Sequence, residues 1–163
     1  MENLARQVGQ ALLKKRAMLV TAESCTGGWA AQVVTSVAGS SDWFERGFVT
    51  YSNDAKHELL NVSRDTLRNH GAVSEQTARE MALGALGRSK GTLALAITGV
   101  AGPSGGSKDK PVGTVCFAWA RKGAPARSET RHLKGDRESV RRQSVVRALE
   151  GVIELLEERG FRE

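Results

Sequence analysis

Three side chains with reactive oxygen or sulfur atoms, Ser24, Cys25 and Thr26, stand in succession directly before Gly27 and Gly28. A serine or a cysteine in such a turn can attack a carbonyl carbon when a neighbouring base removes its proton. The two glycines let the backbone approach a bound ligand closely. The residue types alone leave Ser24 and Cys25 as rival nucleophiles.

Histidines and lysines are the candidate bases for this nucleophile. His57, His70 and His132 lie in separate predicted elements and form none of the paired spacings typical of zinc sites, so no metal is predicted. His57 or His132 would serve as the base only if the fold brought it to Ser24. Lys56, in the first turn of a predicted helix, has a stem long enough to reach back. A lysine acts as a base when burial or a neighbouring cation lowers its pKa from about 10.4 toward about 7. We expect the arginines at this edge to contribute that cation.

Basic side chains cluster in the last third of the chain. Nine Lys and Arg and only three acids lie between residues 121 and 147, and their net charge of +6 equals that of the whole chain. Arg137 and Arg141 extend the buried stripe of the predicted final helix, whereas Arg142 is expected to face solvent. Guanidinium groups at a helix N-terminus favour a phosphate ligand. Ion pairs with acids such as Glu23 are the alternative.

The composition indicates what kind of ligand and which cellular compartment to expect. Only eight Phe, Trp and Tyr occur in 163 residues, too few to favour a stacking platform for nucleic acid, so a small anion is preferred. No apolar run approaches the roughly 18 residues that span a bilayer. The N-terminus also lacks the apolar core of a signal peptide. We therefore expect a cytoplasmic protein, with Cys25 and Cys116 as free thiols.

Hydrophobic periodicity predicts alternating strands and helices in one domain, residues 1–163. Strands are predicted at 17–22, 47–51, 92–98, 114–121 and 129–134, and helices at 3–16, 27–39, 53–62, 63–71, 75–89 and from near Asp136 to about Arg159. Ser52 and Ser74 are expected to cap two of these helices. The predicted fold class is α/β, with three α/β/α layers, a mixed and mostly parallel sheet, and a C-terminal antiparallel hairpin.

This topology predicts a site at one edge of the sheet. Ser24, Tyr51 and Thr98 each stand where one of the first three strands ends, and ligands bind outside the carboxyl ends of parallel strands. Thr114 begins the antiparallel fourth strand at the same edge. The loop over residues 99–113 has five glycines and matches neither a nucleoside triphosphatase nor a dinucleotide fingerprint. We expect it to bind ligand and to offer main-chain N–H groups to an oxyanion.

Five segments together resemble one protein family. They are "TAESCTGG", "FERGFVTYSNDAK", "GAVSE", "ITGVAGPSGGSKDKPVGTV" and "GDRESVRRQ", which follow in this order between Thr21 and Gln143 within a match that runs from about Val8 to Ala148. They resemble the CinA C-terminal domain family of nicotinamide-nucleotide amidases. The resemblance implies hydrolysis of the carboxamide of nicotinamide mononucleotide to nicotinate mononucleotide and ammonia, a step of NAD recycling. It also implies an α/β/α fold, no metal or cofactor, and a homo-oligomer. Members often carry an additional N-terminal domain, whose activity is not expected of this chain.

The resemblance assigns roles residue by residue. It makes Ser24 the nucleophile and Lys56 its base, with Tyr51 and Thr98 as further catalytic residues. It also matches three arginines to the family, and the predicted substrate-binding residues are Thr26, Gly27, Gly28, Gly99, Gly102, Gly113, Thr114, Arg137, Arg141 and Arg142. It leaves open which arginine holds the phosphate. The alternative function is a non-catalytic nucleotide-binding regulatory module, which would keep the arginines and the glycine loop without needing Lys56.

Overall fold

The computed structural model describes residues 1–158, which form five strands, six α-helices and one 3-10 turn. The strands are β1 (Leu19–Glu23), β2 (Phe44–Val49), β3 (Leu93–Gly99), β4 (Thr114–Arg121) and β5 (Arg127–His132). The helices are α1 (Glu2–Lys14), α2 (Trp29–Thr35), α3 (Asn53–Leu60), α4 (Arg64–His70), α5 (Glu75–Gly87) and α6 (Arg137–Glu157), and the 3-10 turn covers Ser40–Asp42.

The five strands form one mixed sheet in the order β2-β1-β3-β4-β5. Strand β1 runs parallel to both β2 and β3, whereas β4 is antiparallel to β3 and to β5. The carboxyl ends of β1, β2 and β3 therefore share an edge with the start of β4. Thr114 at that start pairs with His132 at the end of β5. The predicted mixed sheet with its C-terminal hairpin is confirmed.

Helices cover both faces of this sheet. Helices α1, α2 and α6 pack on one face, hereafter the α6 side, against Leu95 and Phe117 among others. Helices α3, α4 and α5 contribute to the core on the other face, hereafter the α5 side, where Ala94 and Ala96 leave room for close packing. Strands β1, β3 and β4 are buried on both faces, which explains their nearly continuous apolar sequences. The three-layer α/β/α prediction is confirmed.

The predicted helix caps are present. The hydroxyl oxygen of Ser52 accepts from the Ala55 N–H at 3.0 Å, and that of Ser74 accepts from the Thr77 N–H at 3.1 Å. Each bond satisfies one main-chain donor that the first turn of a helix leaves unpaired. The Ser52 cap is relevant to function because it fixes where α3 starts after β2.

Several predicted boundaries are wrong by a few residues. Strand β2 begins at Phe44 instead of residue 47, since an edge strand paired only with β1 tolerates charged residues that hide its pattern. Helix α2 ends at Thr35 rather than near Gly39. The Thr35 hydroxyl there donates to the Ala31 carbonyl at 2.7 Å, a local bond of the kind that competes with the helix. The predicted helix end at Arg159 lies outside the described residues.

Candidate active site

Ser24 and Lys56 meet at the carboxyl edge of the sheet. Ser24 directly follows β1, and Lys56 lies in the first turn of α3. The Lys56 Nζ atom is 2.9 Å from the Ser24 Oγ atom. It also donates to the main-chain oxygens of Thr50 and Tyr51, each at 3.0 Å. The structure thus brings together the two residues that the sequence paired across 32 positions.

Burial makes the Lys56 amine a weaker base than an exposed lysine. The side chain is 1% exposed, and desolvation lowers the pKa of Lys56 to about 8. Negative charge on the nearby Cys25 thiolate would oppose this shift, because it favours the ammonium form. The expected contribution of neighbouring arginines is wrong, since burial is what lowers the pKa. An amine with this pKa is partly neutral near neutral pH and is therefore able to accept a proton.

Two main-chain carbonyls orient this amine. A neutral amine has two N–H bonds and one lone pair. The Thr50 and Tyr51 oxygens accept from the two N–H bonds, so the lone pair faces the third neighbour, the Ser24 hydroxyl. This arrangement is suited to removing the serine proton.

The rival nucleophile and the alternative bases lie elsewhere. Cys25 is 7% exposed and packs in the apolar core on the α6 side. Burial raises the pKa of the Cys25 thiol to about 11, which disfavours the reactive thiolate. His57 contacts a main-chain oxygen at 2.9 Å, and His132 contacts the Thr114 hydroxyl at 3.3 Å, so neither is bonded to Ser24. Within residues 1–158 no group of three or more His, Cys, Asp or Glu is arranged to hold a metal ion.

The Glu23 side chain supports the site through hydrogen bonds. The sequence alone did not settle the role of this residue. This last residue of β1 is fully buried. Its carboxylate accepts from the Thr26 hydroxyl at 2.7 Å and from the main-chain N–H groups of Ala30 and Ala31 at 2.8 and 3.1 Å. Glu23 therefore caps α2, whose own N-cap, Gly28, has no side chain. A glutamate that ends an apolar buried strand is the signal that could have revealed this role.

Arg137 links the loop that contains Gly102 to Tyr51, near the carboxyl edge of the sheet. Its Nη1 group donates to the Gly102 carbonyl at 2.9 Å, and its Nη2 group donates to the Tyr51 hydroxyl at 3.3 Å. Tyr51 is 60% exposed, and the Arg137 side chain is also exposed to solvent. Arg137, Arg141 and Trp29 line a surface cleft of about 500 Å³.

The other two arginines differ in surroundings. Arg141 donates from Nε to the Cys25 carbonyl at 3.0 Å and from Nη2 to the Thr26 carbonyl at 3.2 Å. Its guanidinium also lies 5.4 Å from the centroid of the Trp29 ring. Arg142 is exposed, as predicted, and forms an ion pair with Glu138 at 3.0 Å. Of the two, Arg141 is the one that supports the turn after Ser24, through its bonds to the Cys25 and Thr26 carbonyls.

The remaining predicted groups form bonds inside the protein. The buried Thr98 hydroxyl donates to the Ala72 carbonyl at 2.9 Å, and the Thr114 hydroxyl donates to the Pro111 carbonyl at 2.6 Å. The Gly27 N–H donates to the Ser24 carbonyl at 3.0 Å and the Gly113 N–H to the Val100 carbonyl at 2.8 Å. Gly28 opens α2, Gly99 ends β3 and Gly102 accepts from Arg137. The Gly27 and Gly113 N–H groups are thus already bonded rather than free for an oxyanion.

Comparison with known proteins identifies the family. The model of the CinA C-terminal domain matches residues 1–156. This chain belongs to that family. The nicotinamide-nucleotide amidohydrolase PncC of Escherichia coli (strain K12) is 54% identical over 147 residues, or 90% of this chain and 89% of that protein. PncC of Pseudomonas putida is 49% identical over 152 residues, 93% of this chain and 94% of that protein. The structure of competence/damage inducible protein CihA from Agrobacterium tumefaciens matches with a TM-score of 0.92 and 46% identity, covering 96% of this chain and 95% of that one.

This CinA C-terminal domain neutralises much of its own basic segment. At least four of the basic residues between positions 121 and 147 form ion pairs with acids of the described chain: Arg127, Arg131, Arg142 and Arg147. Arg147 is nearly buried and binds both Glu129 and Glu154 at 2.8 Å. These internal pairs leave fewer cations for a polyanion and agree with the preference for a small anionic ligand.

A second cavity of the domain lies apart from the Ser24 and Lys56 pair. It has a volume of about 520 Å³ and is lined by the first turn of α5, by β4 and β5, and by the loop before β4. Thr114 is the only predicted site residue among its lining residues. Two of its charged side chains, Glu75 and Arg79, bond to the Ser128 hydroxyl of β5: Arg79 donates to it at 2.6 Å, and it donates to Glu75 at 2.8 Å. Sequence reasoning did not single out these residues.

Proposed function

We propose that this protein hydrolyses the carboxamide of nicotinamide mononucleotide to nicotinate mononucleotide and ammonia, with Ser24 as nucleophile and Lys56 as its base. Relatives of about half identity over nearly their whole length carry the name nicotinamide-nucleotide amidohydrolase. The observation that carries the mechanism is the 2.9 Å contact between the buried Lys56 amine and the Ser24 hydroxyl. A non-catalytic module has no need of a buried, partly neutral lysine in that position.

In the acylation step, Ser24 Oγ attacks the carboxamide carbon while its proton passes to the lone pair of Lys56 Nζ. A tetrahedral intermediate forms, with the negative charge on the former carbonyl oxygen. The carbon–nitrogen bond then breaks, and the proton on Lys56 moves to the departing nitrogen, which leaves as ammonia. The nicotinoyl group remains bonded to Ser24 as an ester.

In the deacylation step, a water molecule takes the place of the departed ammonia and attacks the ester through the same kind of tetrahedral intermediate. Lys56 takes a proton from water, the hydroxide oxygen attacks the ester carbon, and a second tetrahedral intermediate forms. The bond to Ser24 Oγ breaks, and Lys56 returns its proton to the serine. The product acid gives its remaining proton to solvent and is released as nicotinate mononucleotide, with both residues in their starting state, and the steps use only water and the groups of the chain.

The substrate has a phosphate at the end opposite its carboxamide, so an anchor for the phosphate sets the distance of the amide from Ser24. Arg137 is suited to this because it is exposed, lies in the first turn of α6 and lines the cleft beside the serine turn. The N-terminus of α6 adds a partial positive charge, which is shared with the Asp136 carboxylate that caps this helix by accepting from the Ser139 N–H at 2.9 Å. Arg141 is less available, because it is half-buried and binds two main-chain carbonyls of the serine turn, whereas the exposed Arg137 binds one carbonyl and the Tyr51 hydroxyl.

The assembly and location of the protein stay predictions. A homo-oligomer is expected from the family resemblance, and sedimentation velocity would measure it. Within residues 1–158 no helix is long and apolar enough to cross a membrane.

An ammonia-release assay tests the proposed function. We expect turnover of nicotinamide mononucleotide and much weaker turnover of the riboside and of free nicotinamide, which lack the phosphate. Ser24→Ala should reduce the rate by about a thousandfold or more, whereas Cys25→Ala should keep most of it. Loss of activity in Cys25→Ala but not in Ser24→Ala would make the cysteine the nucleophile. A folded wild type that binds the mononucleotide without releasing ammonia would support the regulatory module instead.

A further inference from the structure

The backbone segment just before α3 contacts both residues of the proposed catalytic pair. The Tyr51 carbonyl oxygen lies 3.0 Å from Lys56 Nζ and 3.4 Å from Ser24 Oγ. The next residue, Ser52, is the N-cap of α3, and its carbonyl accepts from the Lys56 N–H at 3.1 Å. The main chain at Tyr51 and Ser52 therefore binds Lys56 at both ends, by its main-chain N–H and by its amine.

The Ser52 hydroxyl stabilises this arrangement. Its oxygen accepts from the Ala55 N–H at 3.0 Å, which holds the first turn of α3 directly beside the main chain of Lys56. Helical side chains lean toward the N-terminus of their helix, and the Lys56 amine accordingly returns past this turn to the Tyr51 carbonyl. Fraying of the turn would therefore move the amine relative to the Ser24 hydroxyl.

The cap of α3 is also electrically neutral. Serine, asparagine and aspartate cap helices about equally well, so capping alone does not distinguish between them. An aspartate carboxylate at position 52 would lie within about 8 Å of Lys56 Nζ, because this position follows Tyr51, whose carbonyl binds the amine. At that distance a carboxylate favours the ammonium form. It would also offset the positive end of the α3 dipole, which disfavours a cation there.

The acidic groups around Lys56 are neutral or already bound by donors. Burial raises the pKa of the Cys25 thiol to about 11, so this group carries no charge near neutral pH. The Glu23 carboxylate binds main-chain N–H groups of α2, Asp54 pairs with an arginine at 3.1 Å, and Glu80 accepts from a main-chain N–H at 2.8 Å. The titratable groups on the segments around Lys56 include Glu23, Cys25, Tyr51, Asp54, His57, Glu80 and Arg141. A neutral cap fits these surroundings.

We infer that Ser52 is a positioning residue of the amidase, whose neutral cap on α3 holds Lys56 against Ser24 without adding a negative charge beside the base. This inference rests on the proposed function, because it needs Lys56 to accept the Ser24 proton. It gives the hydroxyl a role beyond helix stability, since an aspartate would stabilise the helix equally well and still impair the reaction.

The test compares two caps of nearly equal shape that differ by one charge. Ser52→Asn should keep the wild-type kcat/KM for nicotinamide mononucleotide and the inflection near pH 8. Ser52→Asp should melt at the wild-type temperature or above it, but its inflection should move upward by about half to one pH unit. Its kcat/KM at pH 7 should therefore fall about three- to tenfold and recover at alkaline pH. Identical pH profiles for the two variants would overturn the inference.

A third variant, Ser52→Ala, removes the cap without adding a charge. We expect its kcat/KM to fall about fivefold, a factor that corresponds to about 1 kcal/mol, the usual contribution of such a cap. Ser52→Asn should restore this loss. A wild-type kcat/KM in Ser52→Ala would refute the inference even if Ser52→Asp fails to fold. A folded wild type without amidase activity would overturn the proposed function and this inference together, whereas an active wild type with an unshifted profile in Ser52→Asp overturns the inference alone.

Discussion

The pKa of Lys56 predicts a specific pH dependence of the amidase activity. Burial lowers that pKa to about 8, and only the neutral amine can accept the Ser24 proton. About one-tenth of the enzyme has a neutral Lys56 at pH 7 and about nine-tenths at pH 9, a tenfold difference that corresponds to about 1.4 kcal/mol. We therefore expect kcat/KM for nicotinamide mononucleotide to rise tenfold between these pH values and to level off above them.

The assay is initial-rate ammonia release, measured from about pH 6.5 to about pH 9.5, because kcat/KM reports ionisations of the free enzyme. Lys56→Arg keeps a positive charge, because a guanidinium stays protonated over the whole range assayed, so no neutral base forms. Lys56→Met removes the base entirely. Each variant should lose about a hundredfold or more in kcat/KM, and neither should show an inflection near pH 8. Lys14→Met, at an exposed position near the end of α1, should keep the wild-type profile.

Two results would refute this reasoning. A wild-type profile that is flat across the range would mean that no group with a pKa near 8 controls acylation. An inflection near pH 8 that persists in Lys56→Met would assign it to another group.

The pH dependence of the free energy of unfolding supplies an independent check, because the sign of its change is known. Because the folded pKa is lowered, the unfolded state binds more protons above pH 8, so the free energy of unfolding should increase as the pH rises from about 8 to about 10.5.

Three further predictions concern substrate binding and stability. Arg137→Met should raise KM for nicotinamide mononucleotide by about tenfold or more with little change in kcat, since a charge-assisted bond to phosphate is worth about 1.5 to 3 kcal/mol, and steady-state kinetics would contradict this if kcat fell alone. Gly84→Ala should lower the free energy of unfolding by about 1 to 3 kcal/mol, because the new Cβ would lie 1.9 Å from a main-chain oxygen. Its control in the same helix, Gly87→Ala, meets no atom within 4 Å and should stabilise by about 0.5 to 1 kcal/mol in thermal melts. Arg147 holds the pKa of Glu129 below its usual range, so stability should fall as acid protonates this carboxylate, and Arg147→Met should weaken that dependence in melts recorded between neutral pH and about pH 3.5.

The order of elements and their caps was readable from the sequence because these features depend on neighbours along the chain. Continuous apolar segments predicted β1, β3 and β4, and serines 52 and 74 predicted two helix starts. The boundaries of β2 were misjudged, since its pairing on one side only permits charged residues that break the pattern. The family membership rested on motifs whose order and content are themselves properties of the sequence.

The sequence by itself determined which residue types stand at the carboxyl edge, and it named Ser24 and Lys56 as partners. Only the tertiary structure decided how they are tuned. Burial rather than neighbouring arginines lowers the pKa of Lys56, and Arg141 holds the main chain of the serine turn from 116 positions away. Glu23 turned out to bind Thr26 and α2. Desolvation and hydrogen-bond partners depend on which distant segments pack together, and that information is absent from local spacing.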